Sequence, residues 1–237
     1  MMENDSVVKN AHKASEYWFQ TPTLRALGNG HIHHTFLLTN EGLQGQFVLQ
    51  RVSEAVFFEP MLVHEQTLRI IQHLSVDHDF CSRYRVPKLH PRINGELYLN
   101  VDSGFWRVWE YIDNTQVLES LADVNQISLS ARAFADYQRV LATLPGPKLN
   151  ETIVGFLQLD RYLQAFAPVA AVAPQKLQAV LKNLEDQRFR FAECNAHVHA
   201  DCKVNNLLFN AQGNRVSAVI DLDTTMYGHW AWDFGDL

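Results

Sequence analysis

The stretch HVHADCKVNN, residues 197 to 206, concentrates side chains that can do chemistry. Its two histidines and Cys202 could bind a metal ion, Cys202 could act as a nucleophile, and the whole stretch could be a polar turn. Zinc sites combine ligands at other spacings with a second ligand group elsewhere in the chain, and here only the histidines of HIHH (31 to 34) could supply one. Only Lys203 is placed to activate the cysteine. Zinc binding and cysteine catalysis are therefore disfavoured.

The spacing H-x-D-x-K-x-x-N fits phosphoryl transfer better, because that reaction uses several of these groups together. Asp201 would accept the proton of an attacking hydroxyl, and Lys203 would offset charge on the transferred phosphoryl group. Asn206 would bind a magnesium ion, with a further carboxylate required at the end of a nearby strand. The run VSAVID supplies Asp221, and Asp223 is a possible substrate or second-metal contact. The combination predicts a kinase that uses ATP and magnesium.

Composition and charge narrow the class of protein. The 237 residues are 47% hydrophobic and 19% charged, which is typical of a globular chain with a sizeable core. The formal net charge of -6 argues against a nucleic-acid partner, which requires a basic surface, and favours a small molecule. No apolar run is long enough to span a membrane. Three cysteines without CxxC spacing and an N terminus without a signal peptide predict a cytoplasmic protein. None of these features predicts an oligomeric state.

The elements that must position the polar stretch divide the chain into two regions. The first is rich in predicted strands, and the second in predicted helices. In chain order we expect a helix over 7–19, strands within 27–40, at 46–52, 95–101 and 105–112, a helix over 60–74, a long helix from about 125 that ends before 145–147, helical segments near 153–167 and 174–187, and strands at 206–210 and 216–222. The sequence thus predicts a β-rich nucleotide-binding lobe (1–110) and a helical lobe (111–237) that carries the catalytic loop. A cleft between two such lobes is a common ligand site.

Several motifs resemble those of a known group of enzymes. ADCKVNNLLFN, VIDLDTTMYG and WDFGDL resemble the catalytic and metal loops of the aminoglycoside phosphotransferase/choline kinase superfamily, relatives of the protein kinases. GNGHIHHTFLL, FVLQRV and FWRVWEYID look most like its N-acetylhexosamine 1-kinase branch. The resemblance implies an α+β, protein-kinase-like two-lobed fold and ATP-dependent phosphorylation of a sugar, at the anomeric hydroxyl of an N-acetylhexosamine. Another acceptor, such as an aminoglycoside or an amino alcohol, is the alternative within the superfamily.

The resemblance also implies that the chain is truncated, since members of the superfamily continue through further helices that close the acceptor pocket. The chain could therefore be inactive by itself. A non-catalytic nucleotide-binding pseudokinase is the alternative of another class, because the strand FVLQR lacks the lysine of the protein kinases.

The letters DFG at 233–235 match the magnesium motif of protein kinases, but they follow a loop instead of a strand hairpin. The resemblance assigns the metal role to Asp221. We expect Asp233 to cap a helix or to brace the catalytic loop through backbone hydrogen bonds.

The nucleotide end of the site is predicted from the first region of the chain. Gly28 and Gly30 precede the first strand, where backbone amides can approach phosphates. A strand cation normally steadies the α- and β-phosphates and pairs with a helix glutamate. Because strand side chains alternate, only one of Gln50 and Arg51 can face the cleft. We assign the phosphate contact to Arg51, with Glu65 as its partner.

The segment WEYID (109–113) lies where the two predicted lobes join. A strand at this position offers its main-chain N–H and C=O groups to adenine. Glu110 and Ile112 are therefore predicted to contact the nucleotide through the main chain.

Overall fold

A five-stranded antiparallel sheet forms the N-terminal region of the molecule. The computed structural model describes residues 2–28, 32–39, 45–191 and 193–237. The strands of this sheet, in the spatial order β1-β2-β3-β5-β4, are β1 (Thr23–Ala26), β2 (His34–Thr39), β3 (Gln46–Val52), β4 (Leu99–Val101) and β5 (Gly104–Glu110). Helix α1 (Met2–Ser15) precedes the sheet, and helix α2 (Pro60–Val76) follows β3.

The central strands of this sheet are covered on both faces, so the register decides which side chains face each helix. Leu49 of β3 lies opposite Val108 of β5, and both pack with Trp106 in a core cluster that includes residues of α1. The alternate residues face the other way, where Val52 and Phe105 pack in a second cluster with residues of α2 and of the loop before it. Successive side chains of a strand point to opposite faces. The α2-facing set includes Arg107, whose guanidinium contacts Asp223 of the C-terminal region.

The largest core lies beneath this sheet and is organised by α4 (Val124–Leu141). Asp123 caps this helix by accepting a hydrogen bond from the backbone N–H of Gln126 at 2.9 Å. Asp77 caps the short helix α3 (His78–Arg83) in the same way, through the N–H of Phe80. The buried stripe of α4 packs against α2, α3 and the strands of the C-terminal region; it comprises Ala133, Phe134, Tyr137, Val140 and Leu141.

The C-terminal region carries two small sheets. Strand β6 (Thr115–Val117) pairs with β8 (Leu207–Asn210), which forms a hairpin with β9 (Val216–Val219). Strand β7 (Ala196–Val198) pairs antiparallel with β10 (Met226–Gly228). The remaining elements are α5 (Leu159–Ala170), α6 (Gln175–Gln187), α7 (Ala231–Asp236) and 3-10 turns at Arg188–Phe191, Val204–Asn206 and Leu222–Thr224. Nowhere in the described ranges is there a helix with both the length and the apolar character needed to cross a membrane.

The structure confirms the predicted α+β class and most of the longer elements. The strand over 46–52 has the predicted bounds, and the helix predicted over 60–74 continues to Val76. The helix predicted near 153–167 starts only at Leu159, and the helix predicted over 7–19 is α1, which ends at Ser15. The short elements β1, β6, β7, β10, α3 and α7 were not predicted, because three to six residues are too few to show a periodicity.

Candidate active site

The loop after β7 brings Asp201, Lys203 and Asn206 together. The carboxylate oxygen Oδ2 of Asp201 accepts a hydrogen bond from Asn206 Nδ2 at 2.7 Å and lies 2.6 Å from Lys203 Nζ. Asn206 Nδ2 also donates to the backbone carbonyl of Asp201 at 2.8 Å. Both bonds use the side-chain nitrogen Nδ2 of Asn206. Its side-chain oxygen Oδ1 has no hydrogen-bond partner within the described ranges. An oxygen left free beside a carboxylate suits a hard cation.

The backbone of this loop is held in an unusual conformation by Asp233. Ala200 has a positive φ of 65°, which costs a residue with a side chain about 1–2 kcal/mol. The N–H groups of His199 and Ala200 donate to the two carboxylate oxygens of Asp233 at 2.9 and 2.8 Å. Thr224 Oγ1 donates to the carbonyl of His199 at 2.8 Å. The prediction that Asp233 braces the loop through backbone hydrogen bonds is thus confirmed.

The two histidines and the cysteine of the stretch 197–206 are buried and are not placed for chemistry. His199 lies between the rings of Phe134 and Tyr137, and its Nε2 is 3.1 Å from the carbonyl of Ile220. Burial lowers the pKa of His197, whose Nδ1 is 2.9 Å from the carbonyl of Leu141. Burial likewise raises the pKa of the Cys202 thiol, which disfavours the reactive thiolate.

Asp221 follows β9 and lies next to the loop of Asp201. The backbone N–H of Ile220 donates to the backbone carbonyl of Asn206 at 2.9 Å, and this hydrogen bond joins the two segments. Asp221 is half-buried and has a positive φ of 60°. Burial, together with the negative charge of Asp223, raises the pKa of its carboxyl group. A divalent cation would relieve both effects, since it favours the ionised carboxylate.

Asp223 is fully buried, and donors from the N-terminal region contact both of its carboxylate oxygens. Thr67 Oγ1 donates to Oδ1 at 3.2 Å, whereas Arg107 Nη2 lies 2.5 Å and His33 Nε2 3.2 Å from Oδ2. Burial acts to raise the pKa of Asp223, but Arg107 and His33 outweigh it and hold this pKa well below its usual range. The ligand atoms of His33, Asp221 and Asp223 lie within 4.8 Å of one another.

The predicted role of Asp223 as a substrate or second-metal contact does not fit this arrangement. Both oxygens have internal donors, and the backbone carbonyl accepts from Thr152 Oγ1 at 2.6 Å. His33 is not placed as a metal ligand either, because its Nδ1 accepts the N–H of Ser53 at 3.2 Å. In a neutral imidazole Nε2 then carries the proton and donates to Asp223. Asp223 therefore connects the two regions of the chain.

The predicted ion pair between Arg51 and Glu65 is wrong. Arg51 lies on the sheet face of α1, with its guanidinium against Gly104 and 6.0 Å from the ring centroid of Trp106. Glu65 is exposed on α2, whose buried side carries Thr67 instead. The prediction is wrong by one position along β3, because Gln50, and not Arg51, belongs to the α2-facing set. Alternation along β3 had left both residues open.

Gln50 instead holds a cation of the neighbouring strand. Its Oε1 accepts hydrogen bonds from Arg107 Nε at 2.9 Å and Nη2 at 2.7 Å, and from Trp109 Nε1 at 3.1 Å. The Arg107 guanidinium also lies 4.7 Å from the ring centroid of Trp109. The cation on the α2-facing side of the sheet thus comes from β5.

The other predicted nucleotide contacts lie at the two ends of the sheet. Gly28 has a φ of 70°, and a Cβ there would meet nothing within 4 Å, so the turn requires glycine for its backbone conformation. Gly30 lies outside the described residues. The backbone N–H of Glu110 donates to the backbone carbonyl of Lys88 at 2.8 Å. The backbone N–H of Ile112 has no partner in the described part of the chain.

The side chain of Glu110 does not face the Asp201 loop. It lines an open cavity of about 500 Å³ together with Phe47, His90 and Tyr111. Phe47 and Glu110 belong to the sheet face that packs against α1. This cavity is therefore separate from the cluster of Asp201, Asp221 and Asp223.

Comparison with known protein families agrees with this site. Residues 23–237 match the model of a family described as the phosphotransferase enzyme family. The chain belongs to this phosphotransferase family. Its members transfer a phosphoryl group, so the protein is a phosphotransferase.

Solved structures resemble the phosphotransferase along nearly its whole length. A microcompartment-associated aminopropanol kinase is 20% identical with a TM-score of 0.74, over 97% of this chain and 73% of that one. A thermostable mutant of aminoglycoside phosphotransferase APH(4)-Ia, in ternary complex with AMP-PNP and hygromycin B, is 18% identical with a TM-score of 0.56, over 92% and 72%. An aminoglycoside phosphotransferase from Alicyclobacillus acidocaldarius subsp. acidocaldarius is 14% identical with a TM-score of 0.56, over 94% and 68%. These likenesses show the kinase-like fold, and the chain is shorter than each of these neighbours.

Three residues of the phosphotransferase site were missed by the sequence analysis: His33, Thr67 and Arg107. Arg107 offered a signal, because it stands within the apolar strand run FWRVWEYI. A charged residue in a strand covered on both faces requires a buried counter-ion. Thr67 and His33 contact Asp223 from 156 and 190 residues away along the chain, and nothing in their local sequence indicates that contact.

Proposed function

We propose that the phosphotransferase transfers the γ-phosphoryl group of ATP, with magnesium, to a hydroxyl group of a small molecule. One observation carries this proposal: Asp201, Lys203 and Asn206 form a contacting cluster that Ile220 links to Asp221. The fold supports it as well, because a neighbour with that fold binds the ATP analogue AMP-PNP.

Asp201 is the residue that would remove the proton of the acceptor hydroxyl. Its carboxylate is about one-fifth exposed, so an acceptor can reach it. Asn206 fixes the direction of this carboxylate through Nδ2. Lys203 is 43% exposed and contacts Asp201. We propose that its flexible side chain turns from Asp201 to the γ-phosphate when nucleotide binds, which frees Asp201 to accept the proton.

The residues at the metal end fit magnesium, which prefers oxygen ligands. Asn206 would offer its free carbonyl oxygen, and Asp221 a carboxylate whose pKa is raised by burial and by Asp223. When bound, the ion neutralises charge on the phosphate oxygens. Asn206 and Asp221 hold this position through the hydrogen bond between their segments.

The nucleotide would lie between the region 1–110 and the region 111–237, which we propose as the two lobes. The free N–H of Ile112 and the carbonyl of Glu110 are the proposed adenine contacts, and the backbone around Gly28 is the proposed phosphate contact. We place the reaction in the cytoplasm, which agrees with three cysteines that form no disulfide.

Two classes of acceptor are proposed. The resemblance of the sequence motifs to the N-acetylhexosamine 1-kinase branch favours a sugar hydroxyl, and with it a role in carbohydrate metabolism. The TM-score of 0.74 to an aminopropanol kinase favours an amino alcohol as the second candidate. The Asp201 cluster serves either acceptor, because the proton-accepting group acts on the hydroxyl alone.

The test compares wild-type protein with Asp201→Asn in an ADP-release assay over N-acetylhexosamines, other sugars, aminoglycosides and amino alcohols. We expect turnover of one class, a loss of about 10²–10⁴-fold in Asp201→Asn, and unchanged AMP-PNP affinity. Asp186→Asn, an exposed carboxylate on α6, is the matched control and keeps full activity. Undiminished turnover by Asp201→Asn would refute the role of Asp201. Tight binding of magnesium-ATP with no transfer to any acceptor would instead support a pseudokinase.

A further inference from the structure

We propose that Arg107 is the cation that binds the phosphate chain of the nucleotide, in place of a lysine on β3. The inference rests on the proposed use of ATP and adds a residue to the site. Arg107 lies on β5, next to β3 in the sheet, and reaches Asp223 in the C-terminal region.

The α2-facing side of β3, a strand described over its whole length, carries no competing cation. The residue of β3 that contacts Arg107 is the neutral Gln50, and Arg51 lies against Gly104 on the opposite face. Gln50 accepts two hydrogen bonds from the Arg107 guanidinium and thereby fixes its orientation. In protein kinases this strand supplies the cation itself. Here its residue Gln50 positions a cation, Arg107, of the adjacent strand β5.

The Arg107 guanidinium has an unused hydrogen-bond donor. Nε and Nη2 of Arg107 are occupied by Gln50 and Asp223, but Nη1 is buried and has no partner in the described ranges. Arg107 as a whole is 1% exposed. Buried donors without acceptors are rare because they are costly, and a charged one calls for an anionic acceptor. A phosphate oxygen is an anionic acceptor of this kind.

Arg107 is also linked to the proposed metal ligand Asp221 through Asp223. Arg107 contacts Asp223, and a carboxylate oxygen of Asp223 lies within 4.8 Å of one of Asp221. The guanidinium is thus held at the end of the site where we place the phosphates. Asp223 keeps it there by serving as its counter-ion, together with the hydrogen bonds from Thr67 and His33. A buried ion pair contributes little net stability, because taking its two charges out of water costs free energy. The presence of the pair is better explained if the site uses the charge of Arg107.

The experiment separates the charge of Arg107 from the ion pair that it forms. Asp223→Asn and the double variant Arg107→Gln/Asp223→Asn both lose the ion pair, and only the second loses the cation. For each we measure the dissociation constants of magnesium-AMP-PNP and of adenosine by calorimetry. Adenosine lacks phosphates, so the ratio of the two constants reports phosphate binding within one protein sample. Arg51→Gln is the matched control, because it removes an arginine from the opposite sheet face.

We expect the preference for AMP-PNP over adenosine to fall by at least about tenfold in the double variant, the size of a lost charged hydrogen bond. It should stay within about threefold of wild type in Arg51→Gln. Asp223→Asn, which removes the counter-ion that holds the guanidinium but keeps the cation, should lie between wild type and the double variant. Arg107→Lys keeps the charge without the planar fork and should restore part of the preference. Thermal unfolding of each variant checks that it is folded, and Arg107→Lys alone provides the test if the neutral pair does not fold.

Two results would overturn the inference in different ways. An unchanged preference for AMP-PNP in the folded double variant, or in Arg107→Lys if that variant alone folds, means that Arg107 only connects the two regions. Wild-type protein that binds AMP-PNP no better than adenosine contradicts the proposed use of ATP, and the assignment of Arg107 with it.

Discussion

Replacing Asp233 by asparagine tests how the catalytic loop is held. In the wild type, the two carboxylate oxygens of Asp233 accept the N–H groups of His199 and Ala200 at 2.9 and 2.8 Å. Asparagine has nearly the same shape but offers one oxygen and one NH₂ group. One of the two buried N–H groups then faces another donor, and Ala200 loses part of the support for its positive φ of 65°.

The size of the effect follows from the bond that is lost. A hydrogen bond to a charged group contributes roughly 1.5–3 kcal/mol. We therefore expect Asp233→Asn to lower the free energy of unfolding by about 2 kcal/mol. The loop that carries Asp201 also shifts, and a displacement of about 1 Å at a reacting group costs on the order of 100-fold in rate.

Urea unfolding followed by fluorescence and steady-state kinetics measure the two effects of Asp233→Asn. Asp186→Asn on the exposed side of α6 should change neither quantity. The sequence letters DFG suggest a different role for Asp233, as a magnesium ligand. If that role were correct, Asp233→Asn would keep its stability in metal-free buffer and would require more magnesium for half-maximal rate. That pair of results would refute the bracing role.

Two further predictions concern buried polar groups of the core. Burial, followed by the charge of Arg107, lowers the pKa of His64 from 6.5 to about 4, so the unfolded chain takes up the proton first as the pH falls. The free energy of unfolding is therefore highest above about pH 6.5 and falls as the pH is lowered toward 4. Urea titrations should show wild type losing roughly 2–3 kcal/mol more than His64→Gln across this window. Equal losses would mean that His64 titrates normally. The hydroxyl of Tyr137 lies 2.8 Å from Thr225 Oγ1 with both groups buried, so Tyr137→Phe should lower the free energy of unfolding by about 1 kcal/mol. A denaturation midpoint equal to that of wild type would contradict this assignment.

The residues that the sequence placed together are close along the chain. Asp201, Lys203 and Asn206 lie on one loop, and Asp221 follows the hairpin of β8 and β9 that begins directly after that loop. A hairpin returns its second strand to the start of its first, so the separation of Asn206 and Asp221 is set by local structure. The spacing of the motif therefore carries geometric information that a single sequence can reveal.

The residues that the sequence misplaced depend on the parity of one strand. Strand β3 has apolar residues at consecutive positions, Phe47, Val48 and Leu49, because both of its faces are covered. Such a run does not show which of its side chains face α1 and which face α2. A shift of one residue moves every side chain of the strand to the opposite face. Arg51 was assigned to the cleft for this reason, while Gln50 occupies that side. The contact of Arg107 with Asp223 spans 116 residues and leaves no local pattern.

The two halves of the proposed site are held by different parts of the molecule. The loop of Asp201 is braced within the C-terminal region, through Asp233 and Thr224. The segment of Asp221 and Asp223 also has contacts with the N-terminal sheet and α2, through Arg107 and Thr67. The hydrogen bonds from the backbone N–H of Ile220 to the backbone carbonyl of Asn206 and from Thr224 Oγ1 to the backbone carbonyl of His199 join the halves.

This division predicts that the halves fail separately. Weakening the Asp233 contacts should displace the proton acceptor, which lowers the rate of transfer while nucleotide affinity stays the same. Removing Arg107 should act on the phosphate end and should lower nucleotide affinity first. Each half contains one residue that holds a positive φ in a functional segment, Ala200 in one and Asp221 in the other. Such conformations persist only where the surroundings fix them. Here Asp233 fixes the first segment directly, whereas Arg107 and Thr67 reach the second segment through Asp223.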